Sequence, residues 1–237
     1  MPGLGTIINC AAIIAGGVIG AVFGHFLNER VQEGLRLACG VGSMFIGLSG
    51  AVAGMLSYEN GSFSSTNAML VVGCLASGTL AGELIDIDSL FTRFGEWLKL
   101  KSGNAKDPNF VNGFVTASLT VSVGAMAVVG SIQDGIMGDY SVLATKAILD
   151  LIIVMVMTSA MGKGAVFSAI PVGVFQGSMT ALSRLIMPIM TEEALANLST
   201  VGSVLIFCVG LNLIWEGKIR VANMLPALLV SVIWAFF

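Results

Sequence analysis

Lys146 and Asp150 stand four residues apart inside an apolar run that extends from 141 to 161. At that spacing two side chains share one face of a helix and can pair. An ionisable group within the hydrocarbon of a bilayer is costly unless it is paired or solvated, so this pair needs a chemical reason. Just upstream, Gly130-Ser131-Ile132-Gln133-Asp134-Gly135-Ile136-Met137-Gly138-Asp139-Tyr140 is a stretch rich in glycine and polar groups between two apolar runs. A helix interrupted there would free backbone carbonyls and amides, and these, with Gln133 and Asp134, suit a cation or a hydrogen-bonding solute. Two readings stand side by side: a membrane-embedded break that works together with the pair, or an external turn followed by a structural ion pair.

Other polar residues lie in apolar surroundings. Gln176 follows Pro171 and Gly173, and Asn212 lies beside Gly210. Pro171 would open the hydrogen-bond ladder of its helix and leave carbonyls for a substrate or for Gln176; interhelical hydrogen bonding is the alternative for both amides. Arg184 is placed at the outer interface, where a long side chain can snorkel. Glu83, Asp86 and Asp88 mark a membrane exit. His25 is the sole histidine, and Cys10, Cys39, Cys74 and Cys208 show no metal or redox spacing, so they are read as packing residues. No metal, cofactor or catalytic residue is assigned.

The elements that must position these groups are helices. Hydrophobic residues make up 56% of the 237 residues and charged ones 11%, with a mean hydropathy of +0.93, values that imply a polytopic membrane protein. A spanning helix needs about 20 apolar residues. The expected spans are 5–27, 38–57, 67–85, 110–131, 141–161, 164–186, 199–215 and 221–237, eight in all, with seven possible. Continuous apolar runs exclude the alternating strands of a barrel. Residues 86–101 place Leu90, Phe91, Phe94, Trp97 and Leu98 on one face of an interfacial amphipathic helix. Within a single integral membrane domain, 1–101 forms a first half, 102–108 a linker, 109–161 the central helices and 162–237 a second repeat. The first apolar run is long and lacks a basic region before it, which reads as a retained helix and not a signal peptide.

Arg30, Arg36, Arg93, Lys99, Lys101, Lys106, Lys163, Lys218 and Arg220 fall in alternate connections. The positive-inside rule makes that side cytoplasmic and both termini external. The net charge of -3 shows no basic stripe for nucleic acid.

The chain also repeats. Glu33-Gly34-Leu35 and Val41-Gly42-Ser43 resemble Glu193-Ala194-Leu195 and Val201-Gly202-Ser203 at one constant offset, and Asn67-Ala68-Met69-Leu70 echoes Asn223-Met224-Leu225. Helices one to three would correspond to helices six to eight. An odd helix offset makes such units inverted, a recurrent transporter design. Chance likeness among glycine-rich helices is the alternative. Gly16, Gly20 and Gly24 share a face, as do Gly50 and Gly54, and Gly78 and Gly82. Such stripes predict close packing of the first three helices, against one another or across a homo-oligomer.

The run from Gly124 to Gly135, with Gly138-Asp139-Tyr140-Ser141, Ser168-Ala169-Ile170-Pro171, Gln176-Gly177 and the stretch from Lys218 to Pro226, resembles the bacterial YqgA/YdfK-like membrane proteins, catalogued as domain of unknown function 554. The resemblance spans the chain and implies that Gln133, Asp134, Asp139, Lys146, Asp150, Gln176 and Asn223 match characteristic polar positions. The expectation is a multi-pass bacterial inner-membrane protein, N-terminus outside, with the lipid bilayer, an unknown small solute or ion and copies of itself as partners. It would be a transporter or channel with alternating access around a polar centre. A non-transporting scaffold or sensor is the rival reading. An intramembrane enzyme fits least, for want of a nucleophile beside a base.

Overall fold

The computed structural model describes residues 2–59, 61–122, 124–215 and 218–237. Twelve helices and one hairpin are described: α1 (Leu4–Gly24), α2 (Glu29–Met55), β1 (Leu56–Glu59), β2 (Ser62–Ser65), α3 (Ala68–Ile85), α4 (Ile87–Lys101), α5 (Phe110–Ser122), α6 (Ala125–Met137), α7 (Ser141–Met161), a 3-10 segment (Lys163–Ser168), α8 (Ala169–Ala181), α9 (Ser183–Ile186), α10 (Glu192–Ile214), α11 (Val221–Met224) and α12 (Pro226–Trp234). Among the described residues, five helices (α1, α2, α3, α7 and α10) are long and apolar enough to cross a bilayer, and the pair α5 and α6, bent by 63°, forms either a broken sixth span or a re-entrant loop.

The structure departs from the eight expected spans where proline and capping chemistry intervene. The segment 164–186 is divided into the 3-10 turn, a 13-residue helix and the four-residue α9. Pro171 sits in the first turn of α8, where backbone N–H groups have no intrahelical partner in any case. It therefore starts a helix and does not open one. Pro226 occupies the first turn of α12 and interrupts the hydrogen-bond ladder after α11, while Leu225 keeps a helical backbone, so the last segment is one apolar helix, Val221–Trp234, shorter than a full span. The charged residues near 29 and 192 lie in the first turns of long helices. Asn28 caps α2 by accepting the Val31 N–H at 3.0 Å, and Thr191 caps α10 by accepting the Ala194 N–H at 3.1 Å. Acidic residues follow both caps, where the helix dipole favours them. The antiparallel hairpin of β1 and β2 is an addition to the expected all-helical fold, with Tyr58 and Phe63 paired across it at 5.0 Å between ring centroids.

The glycine stripes make close contacts, but with helices from later in the chain and not among the first three. Gly16 and Gly20 of α1 lie directly on the Leu151 and Met155 carbonyls of α7, and Gly24 lies on Ser159. Gly50 and Gly54 of α2 meet Ser203 and Thr200 of α10; Gly78 and Gly82 of α3 meet Ala227 and Asn223. A side chain at these positions would hold the backbones apart. Helix α4 packs on α5 through Gly95 and Leu98, against Phe110 and Phe114, and leaves Leu90, Trp97 and Leu100 exposed as an apolar strip.

Candidate functional site

Four helices bring polar groups together in the apolar interior. The Asp150 Oδ2 on α7 accepts from Asn9 Nδ2 on α1 at 3.0 Å and from the Lys146 ammonium, one turn earlier on its own helix. Asn9 Nδ2 also donates to Gln176 Oε1 on α8 at 3.2 Å. Lys146 Nζ makes a further bond of 2.7 Å to the Val121 carbonyl, at the last turn of α5. Asn9 and Gln176 are 0% exposed, Asp150 3% and Lys146 6%. A charge pair so far from water persists only because each ion is hydrogen-bonded as well as paired.

The geometry of α5 and α6 explains how a carbonyl reaches the ammonium. Helix α5 is described to Ser122, and the Val121 carbonyl lies in its last turn, where helix carbonyls run out of intrahelical donors. Gly124 precedes α6 at φ 151°, a conformation that L side chains rarely adopt. The helix break thus lies ahead of the expected 130–140 stretch. That stretch is helical through Met137, and Gly138, at φ 69°, closes α6 by donating its N–H to the Asp134 carbonyl.

Asp134 is fully buried on α6, and its Oδ2 accepts the Gly5 N–H at 3.0 Å. Gly5 lies in the first turn of α1, so a carboxylate from one helix caps the positive end of another. Several buried polar atoms have no hydrogen-bond partner among the described residues: Asp134 Oδ1, Asn9 Oδ1, Gln176 Nε2, Ser131 Oγ, Thr6 Oγ1 and Thr180 Oγ1. Buried polar atoms are ordinarily satisfied, so a concentration of exceptions calls for an explanation. Thr6 and Thr180 line a cleft of about 650 Å³ at one face, along with Gly3, Gly135, Ser183 and Arg184. One helical turn deeper on the same two helices come Asn9 and Gln176. A second cleft, of about 460 Å³, lies by α4, the start of α5 and the end of α10, and includes Asp88, Asn112, Thr116, Asn212 and Arg220. Helix α5 connects that cleft with Lys146.

The remaining residues singled out from sequence lie elsewhere. Gln133 lies about 100° round α6 from Asp134 and lines a different, apolar pocket with Met187, Met190 and Leu195. Asp139 is in the turn before α7 and accepts the Ser141 N–H at 2.9 Å; that bond holds its carboxyl below the usual range. Asn212 clamps the segment before α11, donating to the Ile219 carbonyl at 2.5 Å and accepting its N–H at 3.0 Å. Asn223 accepts the Asp88 N–H at 2.7 Å and so tethers the first turn of α4. Arg184 is exposed at the cleft rim. The sequence reading missed Asn9, Thr6 and Thr180. Asn9 carried a signal, an amide within an apolar run, whereas isolated threonines carried none.

The family described as "Protein of unknown function (DUF554)" matches residues 4–236. The chain belongs to this family. It is 28% identical to the "Uncharacterized membrane protein YdfK" of Bacillus subtilis (strain 168) over 232 residues, covering 98% of this chain and 95% of that protein. It is 27% identical to the "Uncharacterized protein YqgA" of Escherichia coli (strain K12) over 232 residues, 96% of this chain and 94% of that protein. No solved structure matches. This member of the family is an α-helical polytopic membrane protein.

Proposed function

We propose that the protein moves a small solute or ion across the bacterial inner membrane by alternating access. The observation that carries this reading is the chain of polar groups running from the cleft at Thr6 and Thr180, through Asn9 and Gln176, to Asp150 and Lys146. Its unspent hydrogen-bonding atoms offer both a donor, Gln176 Nε2, and acceptors, Asn9 Oδ1 and Asp134 Oδ1. A scaffold has no use for such atoms, because each one left unsatisfied costs stability. The buried cluster is reached from a cleft only if helices part, and the Asp150 bonds to Asn9 and Lys146 are the ones that would exchange. Asp134, Gln176 and Asn9 would then contact the solute.

The internal likeness of the sequence supports the same reading. The offset that equates Glu33 with Glu193 also equates Gly47 with Phe207, and these two touch. Under that offset the contact between Gly54 and Thr200 becomes one between Gly40 and Ile214, which is also made. Helices α2 and α10 therefore pack antiparallel, as two units of opposite orientation would place them. Two exchangeable units meeting near a polar centre provide the two openings of a transporter. By the positive-inside rule, the cleft at Thr6 faces outward and the one at Asp88 faces the cytoplasm. No cofactor or nucleic acid enters this scheme, and the lipid-exposed stripes of α2 and α3 leave room for a homo-oligomer.

The test is uptake into proteoliposomes over a panel of ions, amino acids and organic acids, preceded by thermal-shift screening of the purified protein. Asp150→Asn is expected to abolish uptake and to leave a folded protein. Normal uptake by a variant whose assembly has become unstable would make the pair structural and overturn the proposal.

A further inference from the structure

The Lys146 ammonium sits where a cation would be held. On one side is the Val121 carbonyl, at the negative end of α5; on the other is the Asp150 carboxylate. Asn9, bonded to that same carboxylate, keeps its Oδ1 fully buried and without a partner among the described residues. Ser122, next in the chain after Val121, has a buried hydroxyl oxygen in the same condition. The atoms on the ammonium are a carbonyl and a carboxylate oxygen, with the amide of Asn9 on that same carboxylate, while the nearby soft atom, Cys10 Sγ, is turned to the Ala169 carbonyl at 3.5 Å. Such a set suits hard cations and not the softer transition metals. A helix broken inside the membrane, with its C-terminal carbonyls turned to a carboxylate, is also the arrangement by which broken-helix membrane sites coordinate sodium.

We propose that this is a monovalent-cation site which the chain fills with its own lysine. The charge count fixes the valence. One carboxylate neutralises one positive charge, so a monovalent ion can replace the ammonium without altering local neutrality, whereas a divalent ion would leave an uncompensated charge in low dielectric. The Lys146 stem is long and flexible, and it reaches the site from one turn before Asp150, so the ammonium can leave without unwinding α7. When it does, the carbonyl and carboxylate face a gap that a sodium ion fits chemically. Lysine and free cation are thus alternatives at one position, and a swing of Lys146 towards either cleft couples cation entry to the opening of the cluster. The inference rests on the transport reading only in taking this cluster as the working centre, and its test measures binding, without any solute.

The experiment compares thermal unfolding and radioactive-sodium binding of the purified full-length protein in sodium chloride and in choline chloride at equal ionic strength. Wild type is expected to show no sodium-specific stabilisation, because the ammonium holds the site. Lys146→Ala is expected to bind one sodium per chain and to melt about 5–10 °C higher with sodium a hundredfold above its dissociation constant. Lys146→Gln should respond likewise, and adding Asp150→Asn to either variant should erase the response. Lysine variants that fold in choline and ignore sodium overturn the proposal. So do lysine variants that fail to fold in either salt, since sodium would then be unable to replace the ammonium. Sodium binding without any transported solute would leave the cation site standing and remove the transport reading alone.

Discussion

The Asp134 carboxylate accepts the backbone N–H of Gly5 at 3.0 Å, joining the end of α6 to the beginning of α1 across 129 positions of sequence. One oxygen is used in this way and the other has no partner among the described residues. The two oxygens separate two roles. Asp134→Ala leaves the Gly5 N–H buried with nothing to bond, and a hydrogen bond to a charged group is worth about 1.5–3 kcal/mol. Asp134→Asn keeps a carbonyl oxygen for the same N–H. The alanine variant is therefore expected to melt several degrees below the asparagine variant. If the free oxygen serves the solute, both should lose uptake. Equal melting temperatures for the two would show that the cap contributes nothing.

Glycines on one chain are not equivalent. A Cβ at Gly20 would overlap the Met155 carbonyl, which is backbone and cannot rotate away, while one at Gly34 meets nothing within 4 Å. Gly20→Ala is expected to cost about 1–3 kcal/mol through overpacking and to loosen α1 from α7. Gly34→Ala on exposed α2 is expected to gain about 0.5–1 kcal/mol from helix propensity. Denaturation in the same detergent compares the two, and matching effects would refute the proposed close approach.

What the sequence disclosed and what it concealed follow the same physics. Lys146 and Asp150 were legible because charge in an apolar run is expensive, and their pairing followed from helical spacing. The family was legible because polar motifs are distinctive. The bend between α5 and α6 was not, since hydropathy is uniform from 110 to 131 and reports depth, not direction; Gly124 was its lone signal. Polar residues at 131–134 suggested a break, yet they stay helical because Ser131 and Asp134 turn inward among α1, α7 and α8. Glycine stripes announced close packing without naming the partner. That pairing depends on tertiary structure, as does the meeting of Asn9 with Asp150 and Gln176.

Asp139 provides a pH prediction. Its bond from the Ser141 N–H lowers the folded-state pKa below the usual value near 3.8. A carboxyl depressed on folding contributes stability that is present above its unfolded pKa and is lost as pH falls through the folded value. Wild type should therefore lose stability below about pH 4 more steeply than Asp139→Ala. Melting curves between pH 3 and 6 compare the slopes, and parallel curves would count against the turn at the start of α7 being held by that bond.

Two clefts at opposite ends of the polar chain make a prediction about sidedness that needs no knowledge of the solute. Arg184 lies exposed at the rim of the cleft near the N-terminus, and Asn112 lines the one beside α4 and α5. With Cys10, Cys39, Cys74 and Cys208 replaced by alanine, Arg184→Cys should react with a membrane-impermeant thiol reagent applied to right-side-out vesicles, and Asn112→Cys only in inverted ones. Asn9→Cys lies below the cleft in a fully buried position, so its labelling should be about tenfold slower or more in the closed state, since reactivity requires exposed thiolate. Opening of the four-helix cluster would raise that rate. A transported solute that shifts the protein between outward and inward states should therefore change Asn9→Cys labelling from the outer face while leaving Arg184→Cys nearly constant. Should Asn9→Cys label as fast as Arg184→Cys without any solute, the polar chain would be an open pore and not an alternating site. Labelling of Arg184→Cys from the inverted side alone would reverse the orientation derived from the basic loops.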